Sequence, residues 1–292
     1  MDNRERQRET ARLLEGFSDT PALDARFLVE EARDETELAS FVRRRQDGEP
    51  VFKILGHRGF WSLDLKVSRD TLDPRPDSET VIETVLRLIP DRKKALRFLD
   101  LGTGSGCLLL ALLSEYTNAE GVGIDASAAA LKVAAENGLT FPQASFVHKD
   151  WNDPNWTDGL GLFDVIVSNP PYFTDSLKCP GKQRNIARHT DFLDFDKLAG
   201  SAARLLHPEG VFSVIIPADG KESFLMAATR YGLHLSHQTF IHTKPGSEPK
   251  RVLLAFKFSV DKCVTDDLTI ELSRHVYSEE YIALTKEFYL KM

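Results

Sequence analysis

The chain has 292 residues, 42% of them hydrophobic and 28% charged, which is room for one large globular domain and a smaller one. A net charge of −7 disfavours an extended nucleic-acid surface, which needs clustered Lys and Arg, but leaves space for a local basic patch. The charged opening MDNRERQRET and the lack of any apolar run of about 18 residues disfavour a secretory signal or a membrane span.

Residues 1 to about 50 predict a small helical module. Leu13, Leu14 and Phe17, then Leu23, Phe27 and Leu28, then Leu38, Phe41 and Val42 recur at helical spacing, and Thr20-Pro21 and Asp47-Gly48 punctuate the run. Residues 51–76 predict a hairpin and linker: VFKILG and FWSLDLKVS flank His57-Arg58-Gly59, and Asp73-Pro74-Arg75-Pro76 forms a Pro-rich joint. Residues 77–292 predict one further domain, beginning with a helix near Ser78 that buries Val81, Ile82, Val85 and Leu86.

From there strands and helices alternate. RFLDLG, GVGIDAS, SFVHKD, FDVIVSN and VFSVIIP read as strands. LLLALLSEY, LKVAAEN, Leu198 to Leu206 and FLMAATRYG read as helices. Such alternation predicts an α/β, doubly wound, mostly parallel sheet covered on both faces, here of seven strands. HLSHQTFIH and RVLLAFKFS are joined only by KPGSEPK, so the last strand should pair antiparallel. Ser278 to Met292 reads as a terminal amphipathic helix.

The segment Asp100-Leu101-Gly102-Thr103-Gly104-Ser105-Gly106 closes a strand and opens a helix. Its glycines allow a tight turn and close approach of a ligand at the strand ends. The G-x-G-x-G spacing differs from the G-x-G-x-x-G of dinucleotide enzymes, which disfavours a nicotinamide cofactor. Asp125, at the end of the next strand, can accept the ribose hydroxyls of an adenosine, although a place beside a helix N-cap at Ser127 would also explain it. Asp150 and Trp151 end the third strand, where one could accept from an adenine amine and the other pack on its ring. A solvated turn and a core tryptophan are the plainer alternatives.

The fourth strand runs into Asn169-Pro170-Pro171-Tyr172. Two prolines stiffen this corner and remove two N–H donors, leaving carbonyl acceptors. The Asn169 side-chain oxygen and the Pro170 carbonyl can together accept both hydrogens of a planar –NH2. The nitrogen lone pair is thereby aimed at a methyl sulfonium. Tyr172 offers an aromatic face for a planar amide or base; a structural strand-end turn is the plainer alternative for the tetrapeptide. The three cysteines, Cys107, Cys179 and Cys263, form no C-x-x-C pair and the eight histidines form no H-E-x-x-H. These patterns predict a reduced, cytoplasmic protein without a metal site.

Two family resemblances stand beside these patterns. DARFLVEEA, DGEPVFKILGHRGFW, DPRPDSETV, FLDLGTGSGCLLLALL and FDVIVSNPPY, within residues 1 to about 172, resemble the release factor glutamine methyltransferases of the HemK/PrmC family. This implies a class I, Rossmann-like S-adenosylmethionine-dependent enzyme whose helical module docks a peptide chain release factor. Asn169 and Tyr172 would hold the glutamine amide, with Asn169 also bordering the cofactor. Arg75, Pro76, Pro171 and Phe173 would stand at the substrate mouth. VSNPPYF, CPGKQRNIARHT, KPGSEPKRVLLAF and YSEEYIALTKEFYLKM, from about 164 to 292, are instead similar to the bacterial valine-tRNA methyltransferases that modify the exocyclic amine of an adenine. Arg184, Arg188, His189, Lys244, Lys250 and Arg251 become candidate phosphate contacts on that view, with a solvated loop as the plainer alternative. The pair of resemblances suggests a composite with a seam within 163–173. The glutamine substrate is ranked first, the tRNA adenine second, and an inactive cofactor-binding composite third.

Overall fold

The computed structural model describes residues 2–151, 153–170, 195–273, 276–279 and 282. Pro171, Tyr172, Phe173, Cys179, Arg184, Arg188 and His189, and most of the expected terminal helix, lie outside the described residues.

The N-terminal module is built of α1 (Asn3–Leu13), α2 (Pro21–Glu31), α3 (Glu35–Gln46) and α4 (Val51–Leu55). Asp34 caps α3 by accepting from the Glu37 N–H at 2.8 Å, satisfying a donor that the helix cannot. Leu14, Leu28, Val29, Leu38, Val42, Val51 and Ile54 form its core. Leu13 and Phe17, expected inside, are 53% and 55% exposed. The helix ends at Leu13, so Leu14 takes the inward position and helical spacing no longer governs the turn after it.

The expected hairpin begins later than its pattern suggested. VFKIL is helical, with Val51 and Ile54 buried three residues apart, and Gly56 at φ 80° ends it. The hairpin proper is β1 (His57–Phe60) with β2 (Leu63–Lys66), Phe60 facing Leu63 across a turn at Trp61-Ser62. Its Phe60, Trp61 and Leu65 join the core beneath α5 (Glu79–Leu88) and α6 (Cys107–Glu115), not that of the helical module. Lys53 of α4 ties the module to the domain beyond, pairing with Asp73 at 2.5 Å and donating to the Thr71 carbonyl at 2.6 Å.

The main sheet holds β3 (Arg97–Leu101), β4 (Glu120–Asp125), β5 (Ala144–His148), β6 (Phe163–Ser168), β7 (Leu206–Pro217), β8 (His234–His242), β9 (Arg251–Lys257) and β10 (Val264–Thr269). Their order is β10-β8-β9-β7-β6-β3-β4-β5. It is a class I, Rossmann-like sheet in which β9 runs antiparallel to both its neighbours. Among the described residues this sheet has eight strands where seven were expected. The extra one, β10, pairs parallel with β8 at the edge; its sequence VTDDLT is too polar to announce itself as a strand. The helices α7 (Ala128–Asn137), α9 (Lys221–Arg230) and one over 195–205 (α8) complete the layers.

Alternation along the strands divides the core by face. Phe98, Val165, Val167 and Ile215 pack with α5 and α6, whereas Leu99, Ile166, Val214 and Ile216 pack with α8 and α9. β6 pairs with β3 on one side and β7 on the other. The strand at the expected seam therefore sits in a continuous sheet.

Candidate active site

The C-terminal ends of β3, β4 and β6 open onto a cavity of about 360 Å³. This is where a doubly wound sheet places its ligands, and the volume falls in the range of small-molecule sites. Arg75, Asp100, Gly102, Thr103, Gly104, Asp125, Trp151 and Asn169, all expected from sequence, line it together.

The Gly-rich turn is held against β4. The N–H groups of Gly102 and Thr103 both donate to the Ile124 carbonyl at 2.9 Å, while Gly102, Gly104 and Gly106 adopt φ of 77°, 56° and 83°. Those angles exclude most side chains, which explains the repeated glycines. Gly106 lies behind the cavity wall as the N-cap of α6.

Asp125 stands between this turn and α7. Its Oδ2 accepts from the Gly104 N–H at 2.9 Å and its Oδ1 from the Ser127 N–H at 2.8 Å. Ser127, not Asp125, caps α7 through its own hydroxyl. Each carboxylate oxygen of Asp125 has a second lone pair for a further donor.

Asp100 is 1% exposed. Its Oδ2 accepts from the Thr103 hydroxyl at 2.7 Å, while Oδ1 is buried with no hydrogen bond of ordinary geometry among the described residues. Burial, with a smaller contribution from Asp125, pushes its pKa up to about 7 against the pull of Thr103 and of the Leu109 backbone N–H. An orphaned acceptor on a cavity wall suits a ligand bearing a donor or a cation. Neighbouring Cys107 also lines the cavity, and burial together with Asp100 pushes its thiol up to about 12.

Asn169 follows the last residue of β6, and Ser168 fastens that strand end by donating to the Leu101 carbonyl at 2.7 Å. The Asn169 Nδ2 donates to the Ser78 hydroxyl at 2.8 Å. Pro170 is buried behind the corner. Arg75 is exposed at the cavity mouth, while Pro76 does not line the cavity.

Asp150 is exposed and is not among the lining residues. β5 ends at His148, and of the residues after it Lys149 and Trp151 line the cavity while Asp150 does not. Arg251, a candidate phosphate contact, is instead paired with Asp77 at 2.7 Å, its side chain 14% exposed. Lining residues that the sequence did not assign to the site include Ser78, Lys149, Trp156 and the strap Asp70–Pro74. Trp156 lies in an irregular loop, where no periodicity marks it.

Among the described residues, no cluster of His, Cys, Asp and Glu could hold a metal ion and no helix is long and apolar enough to cross a membrane.

A methyltransferase domain profile matches residues 92–253. A tRNA1(Val) (adenine(37)-N6)-methyltransferase of Phocaeicola vulgatus is 73% identical over 202 residues, covering 69% of this chain and 86% of its own length. A release factor glutamine methyltransferase of Caulobacter vibrioides is 36% identical over 244 residues, covering 73% and 82%. Neither match fits inside one of the two blocks marked by sequence resemblance, so the matches do not divide the chain at 163–173. The structure of a predicted O-methyltransferase from Agrobacterium tumefaciens superposes with a TM-score of 0.53 at 19% identity, covering 66% of this chain and 90% of that one. At that identity the likeness concerns the fold alone.

Proposed function

Since this chain belongs to the S-adenosylmethionine-dependent N-methyltransferases, we propose that its acceptor is the exocyclic N6 amine of an adenine in valine tRNA. The observation that carries this choice is the 73% identity to a curated tRNA enzyme over 86% of that enzyme's length. It reverses the order in which the sequence resemblances ranked the two substrates.

The lining residues fit the cofactor. Asp125 has acceptor capacity for the ribose hydroxyls, Trp151 and Trp156 offer flat apolar walls for a base, and the orphaned Oδ1 of Asp100 suits the ammonium at the amino-acid end. When bound, S-adenosylmethionine supplies a methyl group on a cationic sulfonium.

The chain's own groups then hold the acceptor. Asn169 accepts one N–H of the amine through its side-chain oxygen and Pro170 accepts the other through its carbonyl, which fixes the lone pair in line for attack. The cofactor, held by Asp125, Trp151, Trp156 and Asp100, would supply the methyl carbon and its sulfur would keep the electron pair of the broken bond, while Asn169 and Pro170 hold the attacking nitrogen. The positive charge developing on nitrogen is stabilised by those two oxygens, and the spare proton leaves to water afterwards. Tyr172 supplies the stacking face for the base. No side chain has to act as a base before the methyl moves.

A second reading, methylation of a release factor glutamine, is favoured by the longer match to the Caulobacter relative and by the helical module joined through Lys53 to the cavity strap. Both acceptors are planar NH2 groups, so the corner chemistry is the same. Labelled S-adenosylmethionine offered with unmodified valine tRNA and with release factor, in separate reactions, separates them. Label in the RNA is expected; label in the protein alone overturns the proposal in favour of glutamine.

A further inference from the structure

Three consecutive residues before and at the start of α5 are each anchored to a different element. Asp77 pairs with Arg251 of β9 at 2.7 Å. Glu79, 2% exposed, accepts from the backbone N–H of Trp61 in the hairpin turn at 2.8 Å. Between them Ser78, 1% exposed and itself on the cavity wall, receives the Asn169 amide nitrogen at 2.8 Å. Its backbone is fixed as well, since its N–H donates to the Arg75 carbonyl at 2.9 Å. The hydroxyl is therefore held in place by contacts of its segment to β9, to the corner after β6 and to the hairpin turn.

An asparagine amide has two faces of nearly equal shape, because rotation by half a turn exchanges its oxygen and nitrogen. Only one orientation can hold an acceptor amine, the one that presents oxygen. We propose that Ser78 is a positioning residue for methyl transfer: by holding Asn169 through its nitrogen it keeps the amide oxygen directed at the acceptor. This rests on the reading that Asn169 holds the amine. It adds a residue far away in sequence, in the DPRPDSET segment, whose contribution is to the orientation of the reacting group and not to its binding.

Loss of the bond that orients a reacting group costs rate beyond the modest net worth of the bond itself. For the full-length protein, Ser78→Ala should lower kcat about tenfold with tRNA as acceptor. KM for tRNA and the calorimetric Kd for S-adenosylmethionine should stay within about twofold, because binding alone is not what the bond serves. Ser78→Thr, which restores the hydroxyl, should recover most of the lost rate. Asn169→Ala is the control, and should abolish transfer.

If Asn169→Ala is inactive but Ser78→Ala keeps its kcat, the positioning role is overturned and the corner reading stands. If Asn169→Ala keeps most of its activity, the corner reading itself fails and takes the proposal with it. A Ser78→Ala variant whose lost rate is matched by weaker cofactor binding, without rescue by threonine, makes Ser78 a wall residue only and also overturns the proposal. Should the wild type label release factor alone, the same variants assayed on that acceptor support or overturn the role of Ser78 in the same way. A wild type that labels neither acceptor contradicts both readings at once.

Discussion

Asp77 and Arg251 form an ion pair of 2.7 Å whose side chains are 15% and 14% exposed, joining the segment that enters α5 to the first residue of β9. One partner comes from the part of the chain resembling the glutamine enzymes, the other from the part resembling the tRNA enzymes, yet they meet in one largely buried contact. Removing one partner of such a pair strands the other charge. Arg251→Met should therefore destabilise the protein by about 2–4 kcal/mol, read from urea unfolding, whereas replacing both residues by apolar ones should recover much of that loss. A single variant indistinguishable from wild type would show the contact to be incidental.

Asp100 links stability and cofactor affinity to pH in opposite senses. Burial raises its pKa from 3.8 to about 7. Between those values the folded chain keeps a proton that the unfolded chain has lost, so stability falls as pH rises through that window. Cofactor affinity should rise through the same window, because the carboxylate that meets a cationic ammonium forms only near its upper end. Urea midpoints and calorimetric Kd values at pH 5, 6.5 and 8 for wild type and Asp100→Asn test both statements. A wild type whose cofactor affinity is flat across that range counts against the assignment of Asp100.

Gly123 of β4 has no room for a side chain. A Cβ there would lie 2.7 Å from the Phe146 ring and 2.8 Å from Thr103 Oγ1, the hydroxyl that donates to Asp100. Gly123→Ala should cost about 1–3 kcal/mol of stability and weaken cofactor binding by displacing Thr103. Thermal unfolding and calorimetry on the same sample check this; unchanged affinity would mean that Thr103 plays no part in the cofactor wall.

His242 fastens the loop after β8. Its Nδ1 lies 2.6 Å from the Ser247 carbonyl and its Nε2 2.9 Å from Asp267 Oδ1. Both ring nitrogens face acceptors, so the doubly protonated ring fits best. The Asp267 hydrogen bond, then that of Ser247, raises its pKa above 6.5 against the effect of burial. A raised folded-state pKa means that this contribution is complete below the unfolded value and is lost as pH rises through the folded one. His242→Gln should therefore be less stable than wild type by up to about 1 kcal/mol at pH 5.5, with the gap narrowing by pH 8.5. A gap that stays constant with pH would contradict this.

The parallel core was legible because its strands are short apolar runs between helices, and β3 with the Gly-rich turn announces the cavity directly. β10 was not, since an edge strand with Asp266 and Asp267 lacks the apolar pattern that buried strands must have. The hairpin was misplaced because Val51 and Ile54 satisfy helical spacing while the same letters favour strands. In the site, Asp125 and Asn169 could be found from their places at strand ends. Asp150 depended on where β5 stops, which local sequence does not decide to within two residues. Ser78 and Trp156 come to the cavity through tertiary contacts, and only the folded arrangement shows them there.

The nitrogen that receives the methyl group distinguishes the proposed reaction from its rival. The most direct measurement is to incubate the full-length protein with S-adenosylmethionine and unmodified valine tRNA, digest the RNA and identify its nucleosides by mass spectrometry. N6-methyladenosine is expected, formed by the wild type and not by Asn169→Ala. Unmethylated RNA, together with methylated glutamine in a release factor treated in parallel, would contradict the tRNA assignment.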